Sequence, residues 1–216
     1  MLTEATAPSS RTKRGTLKIL LGAAPGAGKT CTMLSEAHTL INQGRDVVVG
    51  IVEDHGRAYT KALCEGLEII PRRTVDGLSA GELDTFAVIT RKPDIVLVDE
   101  FAHSNPRDEE HEKRWEDIEE ILDAGIDVIS TLNIQHLESL NDVVKQITGI
   151  APQETVPDEV VRAANEIELV DVSPQLLRTR LSDGHVYREA RIEPALNNYF
   201  RVGNPVSYTH LTLPTK

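Results

Sequence analysis

The sequence predicts an α/β fold: a doubly wound, mainly parallel five-stranded sheet with helices on both faces and a small C-terminal helical extension. Three observations carry this. Short, nearly continuous apolar runs alternate with segments of helical periodicity, as in strands buried on both faces by crossover helices. Between the first run and the first helical segment stands Gly22-Ala23-Ala24-Pro25-Gly26-Ala27-Gly28-Lys29-Thr30, in the strand–loop–helix context that a phosphate-binding P-loop requires. A later apolar run, Ile95-Val96-Leu97-Val98, closes on two acids, Asp99 and Glu100, which is a Walker B pattern. Together they place the fold among the P-loop NTPase-like sheets.

The elements follow in order. Residues 1–14 are polar, carry a small basic cluster (Arg11, Lys13, Arg14) and are expected to be disordered. Leu17, Ile19, Leu20 and Leu21 form the first strand. After the glycine-rich loop, Met33, Leu34, Ala37, Leu40 and Ile41 recur at helical spacing until Gly44. Residues 46–53 are β-branched almost throughout and form a strand ending in the charged cluster Glu53-Asp54-His55-Gly56-Arg57. Residues 57–66 read as a helix and residues 68–70 as a short strand. Ser79 and Glu82 fit a capping box for a helix that buries Leu83, Phe86 and Ala87.

Pro93 ends that helix and admits the strand that closes on Asp99 and Glu100. The charged run from Asp108 to Arg114 reads as a solvated helix face, continuing through Trp115, Ile118, Ile121 and Leu122 to Gly125. Residues 126–134 are the fifth strand. Ile134, Leu137, Leu140, Val144 and Ile147 suggest one amphipathic helix stopped by Gly149. Beyond Pro152, Pro157 opens a short helix, residues 167–172 look like a strand, and Ser173-Pro174 begins another helix ending at Gly184. The organisation is then a core at 15–156, an extension of the same domain at 157–205, and a tail at 206–216 whose pattern continues nothing before it and which is expected to be non-native.

Composition excludes several function classes. Lys+Arg 23 against Asp+Glu 34 gives a formal charge of −11 with no basic stripe, which speaks against nucleic acid as a partner. Two cysteines, Cys31 and Cys64, make no disulfide framework. No run approaches the roughly 20 apolar residues of a membrane span, so this segment is expected to be cytosolic with no direct membrane insertion.

The motifs define a candidate site. Gly26 and Gly28 let backbone N–H groups turn inward around an anion, and the following helix adds its positive dipole end. Lys29 is placed to reach the β- and γ-phosphates of ATP, and the Thr30 hydroxyl to hold Mg²⁺ with Asp99. The first motif glycine is shifted, so that Ala23 occupies its place beside Gly22. Glu100 is the candidate catalytic group that polarises an attacking nucleophile. Asn133, at the end of the fifth strand, is either a phosphate-sensing residue or a helix N-cap. His55, His103 and His136 each follow a strand and would sit at the nucleotide edge, with no spacing that supports a transition-metal site. Trp115 reads as core or as an interface anchor. The acid pair closing Walker B further suggests that residues 127–133 lie between the P-loop strand and the Walker B strand.

Several strings taken together resemble a family. The P-loop string, Val52-Glu-Asp-His-Gly-Arg57, Leu97-Val-Asp-Glu-Phe-Ala-His103, Lys113-Arg-Trp115, Asp123-Ala-Gly-Ile-Asp127, Asn133-Ile-Gln-His-Leu-Glu-Ser-Leu-Asn-Asp142 and Glu166-Ile-Glu-Leu-Val-Asp171 are similar to the N-terminal domain of the KdpD family of osmosensitive potassium-channel sensor histidine kinases. The resemblance covers residues 15–204. It implies a cytoplasmic ATP-binding regulatory module at the head of an inner-membrane kinase, with the kinase's downstream domains as partners. In that family a universal-stress-protein-like domain, four membrane spans and the phosphoaccepting histidine domain follow, and a response regulator controls the potassium-uptake operon. The phosphoacceptor and kinase parts are not in these 216 residues, so at most ATPase or phosphotransferase activity is expected of them. The competing reading from the motifs is a P-loop phosphotransferase on a small molecule or protein, of the thymidine-kinase kind. That family typically carries a four-cysteine zinc site, which two cysteines cannot supply.

Overall fold

The computed structural model describes residues 13–23, 25–74, 81–106, 110–148 and 152–171. Among the described residues, six strands form one parallel sheet: β1 (Leu17–Gly22), β2 (Val47–Ile51), β3 (Glu68–Ile69), β4 (Ile95–Val98), β5 (Asp127–Asn133) and β6 (Glu166–Val170), in the order β3-β2-β4-β5-β1-β6. As the acid pair suggested, β5 separates β1 from β4. The strand expected near residues 167–172 pairs parallel with β1, from Lys18↔Glu166 to Gly22↔Val170. Among the described residues the sheet therefore has six members where five main strands were expected, and the start of the C-terminal extension belongs to it.

The continuous apolar runs are explained by two cores, one on each face. Ile19, Val48, Val96, Val98 and Val128 point to one face, where α3 (Thr85–Arg91), α4 (Arg114–Asp123) and α6 (Asp158–Arg162) contribute Val88, Ile118, Ile121, Leu122 and Val161. Leu20, Val47, Val49, Leu97 and Ile129 point to the other, under Met33, Leu34 and Ala37 of α1 (Lys29–Asn42), with Leu63 and Cys64 of α2 (Ala58–Cys64) packed alongside. Successive strand residues alternate between faces, so a strand in the middle of the sheet is apolar at every position. Every residue of β2 and β4 is buried. Each such aliphatic side chain contributes about 1.5–3 kcal/mol relative to exposure.

Four sequence expectations are corrected. Helix α3 begins at Thr85, capped by Asp84, whose carboxylate accepts from the Ala87 amide at 2.8 Å. The proposed cap Ser79 lies outside the described residues, and Phe86 is exposed rather than packed. The single helix expected from Ile134 is two 3-10 turns, Ile134–His136 and Glu138–Leu140, followed by α5 (Asn141–Thr148). Backbone bonds pull this segment out of helical register: Val156 donates to the His136 carbonyl at 2.8 Å and Glu138 donates to Val156 at 3.0 Å. The charged run before Trp115 is not one solvated face, because Arg114 is 1% exposed. Of the N-terminal segment only Lys13 and Arg14 are described, and the Arg14 guanidinium pairs with Glu119 and Asp123 of α4. The helix expected to end at Gly184 and the tail at 206–216 fall outside the described residues. Among the described residues no helix is long and apolar enough to cross a membrane.

Candidate nucleotide site

The C-terminal ends of β1, β2, β4 and β5 surround a cavity of about 760 Å³, within the range of small-molecule sites and on the sheet edge where α/β folds bind ligands. Its floor is the turn from β1 into α1. Gly28 is the N-cap of α1 at φ 103°, a backbone that a Cβ would strain, and no side chain caps the helix. Gly22 contributes differently, by leaving room for the lysine stem. A Cβ there would stand 2.7 Å from Lys29 Cδ and 3.0 Å from its Nζ.

Lys29 thus lies folded over Gly22, only 7% exposed, and its ammonium donates to Asn133 Oδ1 at 2.5 Å. Gly22 and Asn133 are register partners on β1 and β5, so the lysine bridges two adjacent strand ends. Burial lowers the Lys29 amine from 10.5 to about 8, while the charges of Asp99 and Glu100 oppose that fall. Asn133 was open between a cap and a polar site residue. It makes no capping bond to the turn it precedes, and its amide oxygen is taken by Lys29.

Asp99 closes β4 and is 2% exposed. Its carboxylate accepts from Thr30 Oγ1 at 3.1 Å, Glu53 N at 3.2 Å, Glu100 N at 3.2 Å and Thr131 Oγ1. Burial raises its carboxyl above the usual range in spite of the donors. Thr30 and Asp99 come from different elements yet bring hydroxyl and carboxylate oxygens together, as a shared hard cation requires.

Glu100 follows with φ 59°, a left-handed backbone. Its Oε1 stands 3.4 Å from His55 Nε2 on the turn after β2. Partial burial would raise the Glu100 carboxyl, but the His55 contact and the positive charges of Arg114 and His103 hold it below the usual range. His55 itself is at φ 49° and is raised by the Glu100 contact. A non-glycine residue in this region carries strain on the order of 1–3 kcal/mol.

The cavity wall contains most of the residues singled out in the sequence: Pro25, Gly26, Gly28, Lys29, Thr30, Asp99, Glu100 and Asn133, with all three strand-end histidines, His55, His103 and His136. Gly22 lies beneath Lys29, and Ala27 is buried in the turn. Ala23 is half-buried and outside the wall, and Ala24 lies outside the described residues.

Sequence reasoning missed a buried charge cluster behind the wall. Arg114 donates through Nη2 to Glu82 Oε2 at 2.7 Å and through Nη1 to the Asp99 carbonyl at 3.2 Å. His103 Nε2 stands 3.3 Å from the other Glu82 oxygen. Burial would raise the Glu82 carboxyl, but His103 and Arg114 hold it below its ordinary value. Arg114 therefore fixes the carbonyl of Asp99 from behind. Thr131 of β5 also lines the cavity and bonds the Asp99 carboxylate, and it was not among the sequence candidates.

Residues 13–215 match the family model described as "Osmosensitive K+ channel His kinase sensor domain". The chain is 56% identical over 204 residues to the sensor protein KdpD of Mycobacterium tuberculosis, a match covering 94% of this chain and 24% of that protein. It is 50% identical over 202 residues to the sensor protein KdpD of Escherichia coli, covering 93% and 23%. With the sensor protein KdpD of Clostridium acetobutylicum the identity is 46% over 202 residues, covering 93% and 22%. The chain spans less than a quarter of the length of these relatives.

Proposed function

Because the chain belongs to the KdpD sensor-domain family, we propose that it is the ATP-binding regulatory module of a two-component sensor histidine kinase, lying on the cytoplasmic side of the membrane and acting on the kinase's other domains to control potassium uptake. The observation that supports this most is the buried Lys29 ammonium, held over Gly22 by Asn133 at the rim of the cavity. A desolvated cation at the mouth of a glycine-rich turn is unfavourable for the fold and has its use in meeting an anion. On binding, Lys29 would exchange Asn133 for phosphate oxygens, while the α1 amides face the same anion.

The hydroxyl of Thr30 and the carboxylate of Asp99, 3.1 Å apart, would hold Mg²⁺, which when bound would supply positive charge to offset that of the phosphates. Glu100, partly solvated beside them, is the group to orient a water molecule and accept its proton. Loops after β2 and β4 that border the cavity would then differ between the triphosphate and diphosphate states.

Calorimetric titration of the chain with ATP and with ADP, each with and without Mg²⁺, tests the reading. Saturable ATP binding strengthened by Mg²⁺ is expected. No binding of either nucleotide would overturn it.

A further inference from the structure

Among the described residues, three that are not glycine have positive φ: His55, Lys92 and Glu100. Lys92 is the C-cap of α3, an ordinary place for it. The other two touch each other across the mouth of the cavity. They lie just beyond the C-terminal ends of β2 and β4, neighbours in the sheet. Strained residues meeting at a site have been placed there by the rest of the structure rather than by local preference.

The local geometry explains how. After β2 the chain turns tightly, with Gly56 N donating to Asp54 Oδ1 at 2.6 Å and Arg57 N to Asp54 O at 2.8 Å. His55 and Gly56, at φ 49° and 78°, form the two left-handed corners. This turn lifts the imidazole toward β4. On the other side Glu100 N is held by Asp99 Oδ1 and Thr131 Oγ1 at 3.2 and 3.1 Å. The backbones of both partners are fixed, while their side chains are half-exposed, at 51% and 40%.

The contact between them is loose. At 3.4 Å it is longer than the roughly 2.7–2.9 Å of a tight charge-assisted bond, and exposed pairs of this kind are easily displaced. His55 also carries the influence of Glu53 and Arg57 on its own loop, and Glu100 that of His103 and Arg114. Lys29, Thr30, His55 and Glu100 line one cavity, so a terminal phosphate held there, carrying more negative charge than a carboxylate, would compete with Glu100 for the imidazole.

We propose that His55 is a positioning residue that holds Glu100 in the nucleotide-free chain and releases it by turning to the terminal phosphate of a nucleoside triphosphate. The exchange links the β2 loop to the acid that orients water, so that the loop's position reports which nucleotide is bound. A diphosphate, lacking the terminal group, leaves the pair intact. This inference rests on the nucleotide reading above.

The test is a double-mutant cycle on the 216-residue chain with His55→Asn and Glu100→Gln, read by calorimetry with ATP–Mg²⁺ and ADP–Mg²⁺. Asparagine tolerates a left-handed backbone, so the turn is kept while the reach and charge of histidine are lost. His55→Asn should weaken ATP–Mg²⁺ about tenfold, the scale of one charge-assisted bond, and leave ADP–Mg²⁺ unchanged. Glu100→Gln should strengthen ATP–Mg²⁺ by about two- to fivefold, in line with an exposed pair, and by less when His55 is already asparagine. In the free protein the ¹⁵N imidazole signals of His55 should shift on Glu100→Gln. Equal gains in both backgrounds, equal weakening of ATP and ADP by His55→Asn, or unmoved imidazole signals would each overturn the proposal. If the unmodified chain binds no nucleotide, the site reading falls and the exchange with it; if it binds and the two substitutions are additive, only the exchange falls.

Discussion

Replacing Lys29 with methionine separates what the lysine contributes to binding from what it costs the fold. Methionine keeps an aliphatic stem over Gly22 and removes the charge. In the folded chain the Lys29 amine is lowered from 10.5 to about 8 by burial, which corresponds to roughly 3 kcal/mol against the ionised form at about 1.4 kcal/mol per tenfold change. Against this, Asn133 Oδ1 loses its donor, which costs about 1–3 kcal/mol. The variant should therefore be between equal in stability and about 2 kcal/mol more stable at pH 7.

The sign with pH is fixed. A lysine whose folded-state value is depressed carries its full cost below that value. The cost fades as pH rises from about 8 toward 10.5. Any advantage of the variant should therefore shrink over that window. Urea unfolding followed through Trp115, the sole tryptophan, at pH 7 and pH 9.5 reads both quantities. ATP–Mg²⁺ affinity should fall about 10- to 150-fold, as for loss of a charge-assisted contact of about 1.5–3 kcal/mol. A variant destabilised by more than about 1 kcal/mol at pH 7, or one that binds ATP normally, would refute the reasoning.

Further outcomes follow from the same geometry. Glu100→Gln should hold ATP–Mg²⁺ at least as tightly as the unmodified chain and lose whatever hydrolysis a phosphate-release assay detects, whereas Asp99→Asn should lose mainly the Mg²⁺-dependent part of binding in calorimetry. Equal loss of affinity in both would contradict this division. Arg114→Leu leaves Glu82 buried without its cation and should cost about 3–5 kcal/mol in urea unfolding. Glu82, held below its ordinary value by His103 and Arg114, stabilises the fold above the carboxylate range, and that contribution should disappear as pH falls through its folded value. A loss in Arg114→Leu under about 1 kcal/mol would mean that the cluster is not a structural brace.

The sheet and the cluster of candidate residues at its edge were legible because both are written in local signals. Apolar runs between glycine and proline punctuation marked every strand from β1 to β5, and the strand–loop–helix order placed Lys29 and Thr30 before any contact was known. Asp99 and Glu100 were found because they end a buried run. What escaped was long-range. Nothing near Arg114 indicates that Glu82 waits behind the sheet edge, since a charged side chain within a charged run ordinarily reads as solvated. The stretch from Ile134 to Leu140 has apolar residues at spacing three, which suits an α-helix and a 3-10 turn alike. Its pairing with Val156 decided between them. The His55–Glu100 contact needed two residues in left-handed backbone, which neither identity announces.

If the proposed module distinguishes nucleotide states, amide hydrogen exchange will show it in the loops at the sheet edge. ATP–Mg²⁺ should protect residues 53–57 and 101–106, the loops beyond β2 and β4, while ADP–Mg²⁺ should leave them close to the free chain and α5 should change little with either. Equal protection by both nucleotides would leave a binding site without a switch, and no protection by either would contradict the account.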